Sequence, residues 1–479
     1  MADSFLFYDL ETFGQDPRRT RIAQFAAIRT DAQLNEIDTP VSFYVRPADD
    51  LLPSPYATMV TGITPQHALA EGIGESEALA RINDLMSRPG TCALGYNTLR
   101  FDDEFIRHGL FRNFFDPYER EWRNGNSRWD LLDMLRLMHA LRPDGITWPK
   151  REDGATSFKL EHLADANGVR DGDAHEALSD VRATIGMARL FRSAQPRLWD
   201  YALRLRDKRF VTSLLDVTAL QPLLHISMRY PASRLCAAPV LPLTVHPHIA
   251  NRYIVFDLDG DVEALLQLPA ETIAERLYLR ASELPEGVQR IPLKEVHANK
   301  VPALVAWNHL RPADHARLGI DVATVDANAA RVREAGPALV EKVRQVYGGE
   351  RVATVSDVDA SLYDGFLADG DKALMSRLRT SPPAELAGFA ERLKDPRMPE
   401  LLFRYRARNH PQTLDAGERG RWNDCRRQRL LGDAGLGEQT LPEFRAQLDT
   451  LALEHAADPA KLALLQHLRD WGTDLEQSL

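Results

Sequence analysis

Cysteine is nearly absent from this chain. Its 479 residues hold three, Cys92, Cys236 and Cys425. Their scattered positions match neither a disulfide framework nor a zinc-binding spacing, which suits buried thiols in a reducing compartment. Long apolar runs are missing as well. No stretch approaches the roughly 18 apolar residues of a membrane-spanning helix. Asp3 interrupts the N-terminus, so no signal-peptide pattern opens the chain. The expected setting is soluble and cytoplasmic. Positive charge is in deficit, with a formal net charge of -10. That excludes a generally basic nucleic-acid coat but not a local basic face. Repeats of fixed period and low-complexity tails are also lacking. What remains is a globular composition, 44% hydrophobic, in a chain long enough for two or three domains.

The most informative stretch is Phe5-Leu6-Phe7-Tyr8-Asp9-Leu10-Glu11-Thr12. It reads as a buried strand ending in two acids. Strand side chains alternate faces, so Phe5, Phe7, Asp9 and Glu11 share one face and Leu6, Tyr8 and Leu10 the other. Two neighbouring carboxylates on an apolar strand repel each other and lose hydration. A hard divalent cation removes both costs, because it prefers carboxylate oxygens. Asp9 and Glu11 are therefore candidate metal ligands.

Further strands are expected at 21–30 and 41–45, with a hairpin turn at Asp31–Asn35 between them. This gives an antiparallel meander. Thr64-Pro65 reads as a helix cap followed by proline at the first helical position. Helices are expected at 65–71 and 76–87, a strand at 91–96, and helices at 101–112, 130–141 and 174–192. Strands followed by alternating helix and strand imply a mixed sheet covered by helices, an α/β domain over 1–195. Residues 196–350 are rich in proline and short strand-like runs, at 223–228, 253–258, 291–296 and 302–307, with a helix at 270–280. They read as a largely β domain. Helical periods alone occupy 351–479, near 370–379, 383–393, 398–407, 415–431, 441–456 and 458–475.

Three more residues join the two acids. Asp102 opens the helix that follows the strand 91–96. Asp103 projects about 100° away from it, so only one of the pair can face a given site. Asp180 lies within the helix 174–192. His175 precedes Asp180 by five residues, about 140° of rotation, so it belongs to the first turn or the entry loop. Each residue alone has an ordinary reading as a strand-end, helix-start or surface group. The joint pattern, Asp-x-Glu on a first strand, Asn-x-x-x-Phe-Asp after a later strand, and His-x-x-x-x-Asp at the last helix, points to one site.

That pattern resembles the DEDDh 3′→5′ exonucleases, which have a ribonuclease-H-like fold. The resemblance implies that Asp9, Glu11, Asp102 and Asp180 hold two magnesium ions, for which manganese can substitute, and that His175 is the general base. Five longer stretches are similar to the bacterial exonuclease I family. They are Tyr8–Gly14, Gln24–Thr30, Leu94–Asn97, Asn126–Asp133 and Tyr405–Asn409. The similarity spans the chain and implies an SH3-like middle domain, a helical last domain and a groove for single-stranded DNA. It implies a processive 3′→5′ exonuclease that releases 5′-mononucleotides in DNA repair and recombination.

Thr12, Phe13 and Gly14 follow the acids directly and are placed to meet the terminal nucleotide. Phe13 is either a stacking platform or core. Lys159, Arg123 and Arg128 are candidates for phosphate contact. From Arg397 to Arg429 the chain carries nine arginines against four acids, with Tyr405 and Trp422 interleaved. That segment reads either as a backbone-tracking surface or as a salt-bridged helical face. The family resemblance also implies binding of the acidic tail of single-stranded-DNA-binding protein, through Arg142, Tyr201 and Arg317. Gln221 departs from the lysine expected beside them. A monomer is expected. The alternatives are an RNA or oligonucleotide exonuclease of the same superfamily, or a nuclease-dead scaffold. The intact set of acids argues against the scaffold.

Overall fold

The computed structural model describes residues 4–170, 172, 176–280, 283–349, 357–432 and 435–479. The chain divides into two compact units. One comprises residues 1–127, 170–185 and 353–479; the other comprises 128–169 and 186–352.

The first unit is built on β1 (Ser4–Thr12), β2 (Ile22–Thr30), β3 (Val41–Tyr44) and β4 (Thr91–Gly95). The sheet order is β3-β2-β1-β4, continued by β5 (Ser127–Asp130), where the chain leaves the unit. β1 and β2 are antiparallel with Asp9 opposite Ala26 and Glu11 opposite Gln24, and β2 and β3 are also antiparallel. β4 runs parallel to β1. The expected hairpin turn is present: Asp31 N–H donates to the Asn35 carbonyl at 2.9 Å. Leu6, Tyr8 and Leu10 face one core with Leu79, Ile82, Phe105, Ile106 and Leu110. Those partners come from α3 (Glu75–Ser87) and α4 (Asp102–Arg112). α1 (Pro55–Thr61), which has no counterpart among the expected helices, precedes α2 (Pro65–Glu71). The Thr64 hydroxyl accepts from His67 N–H at 3.2 Å, the cap read from the sequence.

The C-terminal helices belong to this same unit, and among the described residues 357–479 hold no strand. They pack on the rest of it through apolar clusters, Phe111 and Phe114 with Met375, Leu378 and Leu401, and Leu52 with Leu441 and Phe444, and ion pairs reinforce them. Asp359, 1% exposed, accepts from Arg404, Arg408 and Arg429 at 2.6–2.9 Å. Arg408 also reaches Asp50 at 2.7 Å. Burial pushes the Asp359 carboxyl up, but the surrounding guanidinium groups, Arg408 foremost, hold it well below the usual carboxylate range.

The second unit contains a five-stranded sheet in the order β10-β6-β7-β8-β9, every adjacent pair antiparallel. Its strands are β6 (Leu223–Ile226), β7 (Ala237–Val245), β8 (Arg252–Asp257), β9 (Leu293–His297) and β10 (Ala303–Ala306). Two elements here escaped the sequence reading. β7 carries Pro239 and Pro242, which lack the N–H of a ladder and hid the strand; the register shifts after Pro242. The helical stretch Val322–Val346 contains Gly336 and Pro337. Gly336 breaks it at φ 61°, and Pro337 restarts the helix just beyond. Val325, Val332, Leu339 and Val343 of this stretch pack into the core with Leu241, Ile254 and Phe256 of the sheet. No helix among the described residues is long and apolar enough to cross a membrane.

Candidate active site

β1 delivers its two acids as the alternation requires. Asp9 is half-buried and Glu11 is buried. α7 (Ala177–Ala194) brings Asp180 in from its first turn. Asp9, Glu11 and Asp180 each offer an oxygen, and these oxygens lie within 4.8 Å of one another. Asp102, at the start of α4, lies close enough for its charge to act on Asp9. Asp102 Oδ1 accepts from Leu10 N–H at 3.0 Å, which ties it to the strand between Asp9 and Glu11.

Asp103 turns the other way. It accepts from the Tyr8 hydroxyl at 2.8 Å and from Arg120 at 2.7 Å, both buried. The two adjacent acids therefore divide: Asp102 bonds to β1 beside Asp9 and Glu11, and Asp103 bonds to Tyr8 and Arg120. At the entry to α7, Glu176 accepts from Ser179 N–H at 2.8 Å and caps the helix. Arg170 Nη1 lies 3.3 Å from Asp180. Neither Glu176 nor Arg170 was singled out from the sequence, since an isolated charge in a loop carries no signal of its destination.

The site's electrostatics suit a divalent cation. Burial, then the charges of Asp102 and Asp180, raise the Asp9 carboxyl well above its ordinary range. Glu11 is pushed up to about 9, first by burial and then by Asp9 and Asp180. Asp102 is also raised well above its ordinary range, chiefly by burial. Carboxylates in such a cluster must bind protons or cations to coexist. An all-oxygen donor set fits a hard divalent ion better than a soft one.

Other expected residues fall as follows. His175 lies outside the described residues. Thr12 is buried, its hydroxyl donating to the Gly14 carbonyl at 2.6 Å. Phe13 is 1% exposed and packs with Ala23, Leu51, Ile63 and Ala68, so the core reading of this ring holds and the stacking reading does not. Lys159, in the second unit, is exposed and pairs with Glu161 at 3.1 Å. Arg123 is exposed and pairs with Glu119 at 2.9 Å; Arg128 is buried and donates to the Asn299 carbonyl.

Arg142 and Arg317 are brought together at the C-terminal end of α5 (Leu131–Leu141). Arg142 pairs with Asp314 at 2.6 Å, and Arg317 donates to the carbonyls of His139 and Ala140. Tyr201 donates to the Leu304 carbonyl at 2.9 Å. Gln221 is exposed and donates to the Ala219 carbonyl.

The arginine-rich segment is not a free basic track. All nine arginines from Arg397 to Arg429 bond to acids or carbonyls, and Tyr405 and Trp422 are buried. The salt-bridged reading of this stretch is the one observed.

Models of three families match the chain in succession. They are Exonuclease over residues 6–188, Exonuclease I SH3-like domain over 206–349, and Exonuclease I C-terminal domain over 356–475. Exodeoxyribonuclease I of Escherichia coli (strain K12) is 45% identical over 473 residues, 98% of each chain. A solved zinc-bound form of an E. coli exonuclease I–single-stranded DNA complex superimposes with a TM-score of 0.94 at 44% identity, covering 99% of this chain and 100% of that one. An SSB/exonuclease I structure with the inhibitor CFAM gives a TM-score of 0.90 at 44% identity, with coverage of 99% and 100%. The mixed-sheet, ribonuclease-H-like nuclease fold, the SH3-like segment and the helical C-terminal region expected from the sequence are thus all present. On the strength of the clustered acids, the sheet that carries them and this full-length similarity, the chain belongs to the exodeoxyribonuclease I family of exonucleases.

Proposed function

We propose that this protein is a magnesium-dependent 3′→5′ exonuclease that degrades single-stranded DNA to 5′-mononucleotides. The observation that carries the proposal is the convergence of Asp9, Glu11 and Asp180, with Asp102 bonded to the backbone between the first two. Two magnesium ions, or manganese in their place, would supply positive charge to activate water and to stabilise the leaving 3′-oxygen. The chain's residues set the stage for that chemistry. Asp9, Glu11, Asp102 and Asp180 hold the ions. His175 takes the proton of the attacking water as general base, a role that imidazole suits near neutral pH. The backbone around Thr12 receives the 3′ end, and Lys159 contributes phosphate contact. Processive action in DNA repair and recombination, a cytoplasmic location and a monomeric state complete the reading.

The acidic tail of single-stranded-DNA-binding protein is the proposed partner, received near Arg142, Tyr201 and Arg317. The SSB/exonuclease I structure of a relative and the placement of Arg142 and Arg317 at the same end of α5 support it. The proposed segmentation is 1–195 for the nuclease domain, 196–350 for the SH3-like domain and 351–479 for the helical domain. Digestion of 5′-labelled single-stranded DNA, beside duplex and RNA, tests the activity. A shortening ladder is expected only for single-stranded DNA with magnesium, abolished in Asp9→Ala and reduced about 10²–10⁴-fold in His175→Ala. Full activity of Asp9→Ala, or equal activity in EDTA, would sink the reading.

A further inference from the structure

The loop that leaves β1 is held from a distance. Asp9 and Glu11 lie on β1, and the chain then runs through Thr12, Phe13 and Gly14 into a turn at Gln15–Thr20. The amide N–H groups of Gln15 and Asp16 both donate to Oε1 of Glu438, the first at 2.7 Å. Glu438 is 423 positions away from Gln15, on the segment between the C-terminal helices. Two consecutive amides aimed at one carboxylate oxygen make a charge-assisted clamp, stronger than neutral hydrogen bonds.

Neighbouring contacts belong to the same strap. Arg19 Nε donates to the Gly435 carbonyl at 3.0 Å, and Gln439 donates to the Pro53 carbonyl at 3.1 Å. A cleft of about 580 Å³ opens beside it, lined by Gln15, Arg19, Tyr56, Glu438, Gln439 and Gln447. Gly14 is the residue that admits the carboxylate. A Cβ built there would overlap the Glu438 carboxyl group, and the glycine's φ lies outside the left-handed region, so the requirement is space rather than conformation.

We propose that Glu438 is a positioning residue for the reaction: its carboxylate clamps the loop that follows Glu11, so that the backbone meeting the 3′ nucleotide is fixed relative to the metal-holding acids. This rests on the exonuclease reading. The physical basis is that a small misplacement between bound substrate and catalytic groups costs far more rate than binding. Affinity for a long strand, by contrast, draws mainly on phosphate contacts made away from that backbone.

Three variants of the full-length protein separate the possibilities. Glu438→Gln keeps an oxygen that can accept both amides. Glu438→Asp keeps the charge but is one methylene too short. Glu438→Ala removes the acceptor. Single-stranded DNA digestion with magnesium should show Glu438→Gln, which keeps the acceptor without its charge, losing less rate than Glu438→Ala. Glu438→Ala and Glu438→Asp should lose about tenfold in kcat, the loss of one net charge-assisted hydrogen bond, with KM for a long strand little changed. Hydrogen exchange at the Gln15 and Asp16 amides should accelerate in the same two variants and not in Glu438→Gln. Should Glu438→Ala fail to fold, the Asp and Gln pair carries the test. An inactive wild type would overturn the exonuclease reading. An active wild type with all variants equal to it, or with a lowered melting temperature and unchanged kcat, would overturn the positioning role. So would a faster Glu438→Ala, which would make the carboxylate a blocker of the amide pair.

Discussion

Metal binding and stability should be linked through the β1 acids, and the sign can be worked out. Glu11 is held at about 9 in the folded, metal-free protein, against an ordinary value of 4.5. Between those values the folded state binds a proton that the unfolded state has released. Its contribution to stability is thus fully present below pH 4.5 and is lost as pH rises through about 9. Each pH unit in that window costs about 1.4 kcal/mol. From pH 5.5 to 7.5, Glu11 alone removes about 2–3 kcal/mol. Asp9 and Asp102 are shifted in the same direction. A divalent cation replaces those protons, and at a hundredfold excess over Kd it stabilises by about 2.7 kcal/mol. Melting curves at pH 5.5, 6.5 and 7.5, with magnesium or EDTA, provide the assay. The EDTA melting temperature should fall with pH. The increment from magnesium should grow with pH, reaching several degrees at about 2 °C per kcal/mol for a unit of this size. Asp9→Asn should raise the EDTA value and shrink the increment, because it removes one of the repelling charges. An increment equal at all three pH values, or unchanged in Asp9→Asn, would refute the reasoning.

Two further outcomes follow from the packing. Asp359→Ala leaves Arg404, Arg408 and Arg429 without their shared acceptor in a buried place. It should destabilise by about 3–5 kcal/mol in urea unfolding, and a change below about 1 kcal/mol would show the network to be dispensable. Phe13→Leu nearly preserves core volume and should cost less than about 1.5 kcal/mol, with KM for single-stranded DNA unchanged. A tenfold rise in KM without loss of stability would restore the ring to a stacking role.

The local pattern was enough to place most of the nuclease elements. Period-two alternation put Asp9 and Glu11 on one face of β1, and that strand runs from Ser4 to Thr12. The capping chemistry of Thr64-Pro65 located a helix start that the structure reproduces. The divergence of Asp102 and Asp103 followed from helix geometry alone, and the two indeed serve different partners. Where local signals conflicted with tertiary demand, the reading fell short. The prolines of β7 and the Gly336-Pro337 break mark elements that exist because a core covers them, which no short window reveals.

The arginine-rich segment shows the division most clearly. Its charge excess is real within its own window: Glu400, Glu418 and Asp424 pair with some of its arginines, but the acids that neutralise the rest lie elsewhere. Asp50, for example, stands 358 positions before Arg408. Phe13 likewise looked available beside the acids until Ala23, Leu51, Ile63 and Ala68 closed over it. Glu438 could not be linked to Gln15 by any pattern, since a hydrogen bond across the fold has no periodicity. Side-chain direction, strand order and helix caps are short-range steric and hydrogen-bonding matters, and the amino-acid order determined them. Which charges meet, which aromatic ring is buried and what holds the loop after Glu11 were decided only by the tertiary structure. Those outcomes depend on distances between segments that are remote along the chain.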